Sequence, residues 1–208
     1  LKIEPDSPTA HYNLACFLTS NALDFAIEEL QESIELDPDY ADAHLNLGLT
    51  LADAGRVEEA LRELRTAIDL APDDAFAKHE LAALLMDEGD YRAAIAQLKE
   101  VARLEPENFE AHLDLGICYA QKGFYEEAER AYKKAEALKD DDVLATYNLA
   151  ALYALWNKPE PSLETLRRAL ALDAEKVRGW LAADAMFDEM KSMPEFQAIV
   201  DQSHAARA

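Results

Sequence analysis

The side chains of this 208-residue sequence that could hold a metal or move a proton recur at a fixed interval. His11, His44 and His112 occupy one position of a 33- to 34-residue period, and Asn13, Asn46, Glu80, Asp114 and Asn148 form a polar ladder at the position two residues on. Two histidines sharing a metal need ring nitrogens about 2 Å from it. Equivalent residues on neighbouring helices stand about a helix diameter of 10 Å apart, so a packing role is expected and chelation is not. Cys16 and Cys118 are the only cysteines and lie three periods apart. That is too far for the Cα separation of about 5.5 Å that a disulfide requires, and they read as free thiols in a reducing compartment. Carboxylate pairs such as Glu58 with Glu59 and Glu126 with Glu127 could serve acid–base catalysis, but they fall on outward helix faces. There is no G-x-S-x-G, no H-E-x-x-H and no glycine-rich phosphate loop, with 6 Gly in the whole chain. The expectation is a non-enzyme with no catalytic residue, no metal and no cofactor.

The elements that position these residues follow from the punctuation. Pro38, Pro72 and Pro106 are spaced by 34, the next step lands on Asp140, and Pro5 precedes Pro38 by 33. Such a period calls for a test of repeat architecture first. In residues 41–74, Leu45, Leu47, Gly48 and Leu51 recur at helical spacing, Gly55 interrupts, and Ala60, Leu61, Leu64, Ala67, Ile68 and Leu70 resume. Each unit is therefore helix, turn, helix. Gly89 and Gly123 follow Gly55 at the same interval, where a residue of positive φ ends a helix without steric cost. The prolines separate each pair from the next, and Asp73, Asp74, Asn108 and Asp142 stand where new helices begin, as caps or first-turn acids.

Positions shared by the units mark the buried face. Leu14, Leu47, Leu81, Leu115 and Leu149 fill one position, and Ala15, Gly48, Ala82, Gly116 and Ala150 the next. In the second helix Ala26, Ala60, Ala94, Ala128 and Ser162 are the small residues, and Leu36, Leu70, Leu104, Leu138 and Leu172 are expected to close each pair. No unit buries these faces alone, so the units must stack.

These residues resemble the tetratricopeptide repeat, whose pattern is W-x2-L-G-x2-Y, then A-x3-F, then P. Residues 109–142 carry it best, with His112, Leu115, Gly116, Tyr119, Ala128 and Tyr132, although Asp140 replaces the proline; residues 41–74 carry His44, Leu47, Gly48, Leu51, Ala60, Leu64 and Pro72. The resemblance implies an all-α, right-handed superhelical solenoid. Its units are 8–40, 41–74, 75–108, 109–142 and 143–176, followed by a capping helix pair over 177–203 and a disordered tail over 204–208. Residues 1–7 match the closing end of a preceding unit, with Ile3 at the leucine position and Pro5 at the proline position. Either further repeats precede Leu1 or this is a frayed remnant of them. The inter-helix turn TSNALDF is one residue short, and WNKPEP replaces the turn glycine of the fifth unit. In the cap, Phe187, Met190, Phe196, Ile199 and Val200 are expected to cover the last exposed face.

In the family, first helices line a concave groove. The corresponding positions here are Tyr12, Asn13, Asp42, Leu45, Asn46, Leu49, Asp53, His79, Glu80, Met86, Asp87, Glu110, Leu113, Asp114, Ile117, Tyr147 and Asn148, with Thr19, Ser20, Gln121 and Leu155 further along. They describe an apolar floor, amides at the ends and a central acidic stretch, which suits an extended or helical peptide carrying apolar residues with Lys or Arg. Some of the apolar set is expected to pack between helices instead. The carboxylate clamp of some family members is missing, because its cationic places hold Phe76, Glu80, Glu110, Asp114 and Leu144.

Composition agrees. With 20 Lys+Arg against 42 Asp+Glu the net charge is -22, which disfavours nucleic acid and anionic lipid and favours a basic partner; the same acidity would also serve solubility or a saline habitat. No apolar run reaches the roughly 18 residues of a membrane span, so no membrane insertion and a cytoplasmic location are expected. The resulting expectation is a protein-interaction scaffold. Two alternatives stand beside it: the recognition arm of a larger enzyme or sensor truncated upstream, and a scaffold that self-associates through its N-terminal end.

Overall fold

The computed structural model describes residues 7–18 and 23–205, with side chains described through Val200. The expectations for Ile3, Pro5, Thr19 and Ser20, and for the last three residues, lie outside the described residues. The chain contains twelve α-helices and no strand among the described residues, and it divides into two compact units, Leu1–Pro106 and Glu107–Ala208.

The first unit holds three helix pairs: α1 (Pro8–Leu18) with α2 (Leu23–Leu36), α3 (Ala41–Asp53) with α4 (Val57–Leu70), and α5 (Ala75–Asp87) with α6 (Tyr91–Leu104). The second holds α7 (Phe109–Gln121) with α8 (Tyr125–Leu138) and α9 (Val143–Leu155) with α10 (Pro159–Leu172). These are followed by α11 (Ala174–Ala183), a 3-10 turn (Ala185–Phe187) and α12 (Pro194–Ala205).

The turn residues act as their chemistry requires. Gly55, Gly89 and Gly123 have φ of 75°, 76° and 74°, and in the fifth pair Asn157 takes the same place with φ 55°. Asparagine is among the few residues that tolerate this region, which is how the pair survives without a glycine. Pro159 then opens α10, where its missing N–H costs nothing. Asp74, Asn108 and Asp142 accept hydrogen bonds from the amides of Ala77 (3.1 Å), Ala111 (2.9 Å) and Ala145 (2.9 Å). Asp90 caps α6 in the same way through Ala93 at 3.1 Å. Each such cap is worth about 1 kcal/mol.

The shared small positions are the packing centres. Ala15, Ala26, Ala60, Ala82, Ala94, Ala128 and Ala150 are fully buried, and Leu47, Leu81, Leu115 and Leu149 nearly so. The closing leucines depart from expectation. Leu36, Leu70 and Leu172 are exposed and Leu104 and Leu138 half-buried, while Ser33, Ala67, Val101, Ala135 and Ala169, three residues earlier, are buried in their stead. Each leucine is the last residue of its helix, where the chain turns away and covers it on one side only.

The histidines do more than pack. His11 Nδ1 meets the Glu29 carboxylate, and His44, 7% exposed, lies 2.7 Å from Glu63 through Nδ1 and 3.1 Å from the Pro38 carbonyl through Nε2. The ring at the family's aromatic position thus ties first helix to second through a polar contact, which spares a buried imidazole the cost of losing water. Among the described residues no group of three or more His, Cys, Asp or Glu is placed to hold a metal.

The capping segment starts earlier than its expected boundary. Asp173 both ends α10 and caps α11, accepting from the Lys176 amide at 3.1 Å, so α11 follows after a single residue. Phe187, Met190, Phe196 and Ile199 are buried against Leu166, Ala169 and Val177. Repeat arrays need such a lid over their last apolar face. The helix α12 continues through Ala205, so the tail expected to be disordered from residue 204 begins as helix.

Candidate functional site

In the first unit the ladder positions lie on α1, α3 and α5. Asn46 Nδ2 donates to the Tyr12 hydroxyl at 3.1 Å and to the Asp42 carbonyl at 2.8 Å, so the amide links α3 to α1. The Tyr12 ring also leans on Tyr40 with centroids 5.2 Å apart. Burial, followed by its hydrogen bond with Cys16, pushes the Tyr12 hydroxyl up to about 12. Asn13, Asp42, Asp53 and Asp87 are exposed, and Leu49, His79, Glu80 and Met86 half-buried. Leu45 is buried and belongs to the core. Phe76, at 55% exposure, is an apolar residue of this face that sequence reasoning assigned only to a missing clamp. Its place one turn before Glu80 was the available signal.

In the second unit Glu110 is not an open charge. Lys139 lies 3.2 Å from its carboxylate and 3.9 Å from the centroid of the Phe109 ring. Leu113 is buried with Phe109, Tyr132 and Leu149. Tyr147 is also buried, beneath the cap: its hydroxyl donates to Asp184 Oδ2 at 2.8 Å and its ring packs on Trp180 and Phe187 at 5.0 and 5.7 Å between centroids. Burial and the Asp184 carboxylate raise its pKa. Leu45, Leu113 and Tyr147 therefore leave the set of residues a partner could touch, because each is sealed by the packing of adjacent helices or of the cap.

Ile117 and Asn148 stay together at a hollow of about 200 Å³ between α7 and α9, and Asp114 lies one turn before Ile117 on α7. Tyr132, Ala151 and Leu152 are buried and form its floor, Ile117, Ala120 and Leu155 its sides, and Gln121, Asn148 and Met186 stand at its edge. The Asp114 charge reaches this floor, since after burial it is a further cause of the upward shifts of Tyr132 and of Cys118, whose thiol rises to about 12. A thiol so placed is inert at neutral pH. Met186 was not foreseen, and nothing in the repeat pattern marks it.

Several acids of the second helices are paired with cations: Glu59 with Arg56 at 2.7 Å, Glu100 with Arg103 at 2.9 Å, Glu129 with Lys133 at 2.6 Å and Glu136 with Arg168 at 2.8 Å. Asp42, Asp53, Glu80 and Asp87 on α3 and α5 have no salt-bridge partner among the described residues. No helix among those described is long and apolar enough to cross a membrane.

Three models of the tetratricopeptide repeat match the sequence, over residues 17–55, 41–74 and 79–143. No curated protein matches it. Among solved structures it is similar to YrrB, described as a TPR protein with an unusual peptide-binding site, with TM-score 0.78 at 22% identity, covering 86% of this chain and 93% of that one. It is also similar to MamA from Desulfovibrio magneticus RS-1, with TM-score 0.77 at 18% identity over 84% and 98% of the two chains, and to a second MamA structure, with TM-score 0.72 at 24% identity over 77% and 94%. Helix pairs in a 34-residue period, positive-φ turns at one position, and family matches that together span nearly all of residues 17–143 agree: the chain belongs to the tetratricopeptide repeat family and has its all-α solenoid fold.

Proposed function

We propose that this protein is a protein-interaction scaffold whose first-helix faces bind a peptide or helix combining basic and apolar residues. The observation that carries the reading is that Asp42, Asp53, Glu80 and Asp87 have no salt-bridge partner among the described residues and share α3 and α5 with the half-buried Leu49 and Met86 and the exposed Phe76. A partner supplying Lys or Arg beside an apolar side chain therefore meets complementary groups on these two helices. The similarity to YrrB, a protein described as binding peptide, supports the same class. The test is binding of extended Lys/Leu-containing peptides, measured at low and high salt, with Asp42→Lys and Glu80→Lys prepared separately and together. The double variant should bind about tenfold more weakly, equivalent to roughly 1.4 kcal/mol, and lose most of its salt dependence. Unchanged affinity in both salts refutes the reading.

A second reading, self-association through the first helix pair, is favoured by Phe17 and Phe25, which are 81% and 63% exposed. In the later pairs the residues equivalent to Phe17 are covered: Thr50, Cys118 and Leu152 are buried and Leu84 half-buried. Light scattering across concentration, with Phe17→Ser for comparison, decides it: a parent protein that stays monomeric at high concentration excludes this reading.

A further inference from the structure

The capping segment holds one apolar side chain that stands apart from the rest. Its large apolar side chains Phe187, Met190, Phe196 and Ile199 are buried, as a lid requires, yet Met186 is 41% exposed beside the hollow between α7 and α9. Its placement is fixed. Asp184 accepts the Met186 amide through Oδ1 at 2.8 Å and the Tyr147 hydroxyl through Oδ2 at 2.8 Å, so one carboxylate holds the 3-10 turn onto α9 and points the methionine toward the hollow.

We infer that this hollow, with Met186 as its adjustable wall, is a socket for one phenylalanine side chain of a bound peptide, next to a Lys or Arg. The proposal rests on the scaffold reading above and names the residue that the second unit selects. Size is the first support: an apolar cavity of about 150 Å³ takes up benzene, and this one measures about 200 Å³. Chemistry is the second, because the floor of Tyr132, Ala151 and Leu152 is buried and mostly apolar, and an unbranched thioether adapts to a ring and favours contact with it. Gln121 and Asn148 at the edge offer amides to the backbone on either side of an inserted residue. Asp114, three residues before Ile117 and so on the same face of α7 as this wall of the hollow, supplies the attraction for a neighbouring cation. Leu144, exposed on α9 one turn before Asn148, adds apolar surface beyond the hollow.

The experiment uses the full chain with its 4 methionines labelled at the methyl carbon, titrated with acetyl-Lys-Phe-Lys-amide and acetyl-Lys-Ala-Lys-amide and followed by NMR. The phenylalanine probe should shift the Met186 resonance, leave buried Met190 in place, and bind at least tenfold more tightly than the alanine probe. Ala120→Met fills the hollow with the residue that the third repeat carries at the equivalent position, Met86, so the fold tolerates it; binding of the phenylalanine probe should drop to the level of the alanine probe. Met186→Ala, a change at an exposed site, should weaken the phenylalanine probe about two- to tenfold. Equal binding of the two probes, or full phenylalanine binding by Ala120→Met, overturns the socket. Asp114→Lys separates the two ideas. Losing both probes equally supports the acidic-face reading while the Ala120→Met result still decides the socket, and retaining phenylalanine binding undiminished removes the basic neighbour from the proposal.

Discussion

Replacing Gly116 by alanine tests how closely the first and second helices of the second unit approach. A Cβ on Gly116 would lie 2.4 Å from Cδ1 and Cε1 of Tyr132 and 2.8 Å from its Cζ, where carbon atoms favour about 3.5–4.0 Å. The ring is 4% exposed, and the fully buried Ala128 and Ala135 hold α8 close on either side. The space left to it is the hollow beside Ile117. Overpacking costs about 1–3 kcal/mol, and contacts as close as 2.4 Å call for the upper part of that range, about 2–3 kcal/mol; replacing glycine in a helix interior returns about 1 kcal/mol, so Gly116→Ala should lose about 1–2 kcal/mol. Tyr132→Leu alone also destabilises, by removing a buried ring. Together they should recover, because the double variant recreates the alanine–leucine pairs that occupy the same positions elsewhere, Ala82 with Leu98 and Ala150 with Leu166, all fully buried. The cycle should show about 1–2 kcal/mol of favourable coupling. The assay is urea unfolding followed by tryptophan fluorescence, which reads this unit because Trp156 and Trp180, the 2 tryptophans, both lie within it. Stability of Gly116→Ala at or above the parent, or additivity within about 0.3 kcal/mol, refutes the packing argument.

Three further outcomes are expected. Asn157→Ala, forced to φ 55° without a side chain that tolerates it, should cost about 1–2 kcal/mol in thermal unfolding, whereas Asn157→Gly should be neutral or better. Tyr132 and Tyr147 have folded pKa values raised by burial above the ordinary 10.0; their contribution is complete below that value and is lost as pH rises through the folded values. Unfolding midpoints should therefore fall above about pH 10, and Tyr147→Phe should make that fall shallower. Glu129 is shifted the other way, held below its ordinary 4.5 by hydrogen bonds from Lys133 and from the Tyr153 hydroxyl at 2.7 Å. Its contribution is complete above that value and lost as pH drops through the folded one. Glu129→Gln should flatten the acid side of the stability profile measured by denaturant titration, and an unchanged acid slope excludes this role.

Much of the fold was legible because it is set by residues that act on their own neighbours. A glycine at positive φ, an aspartate on the third amide of its own helix and a proline at a first turn need no distant partner, and Gly55, Asp74 and Pro159 behave as their types require. The site was only partly legible. Asn46, Glu80, Asp114 and Asn148 could be placed on first helices by counting, but counting could not show that Lys139, 29 residues away, sits against Glu110. Nor could it distinguish Leu49, half-buried, from Leu45, buried one turn earlier on the same helix.

The sequence by itself determined the repeat: a 34-residue recurrence of small and large apolar residues obliges each pair to stack on the next, since no pair buries its own faces. Tertiary structure decided what lies outside the period. The single-residue junction at Asp173 sets where the cap begins, and the docked cap buries Tyr147, engages Asp184 and leaves Met186 beside the hollow. These outcomes depend on contacts between residues 37 positions apart and more, which become fixed when the cap covers the last apolar face and chooses which side chains remain open.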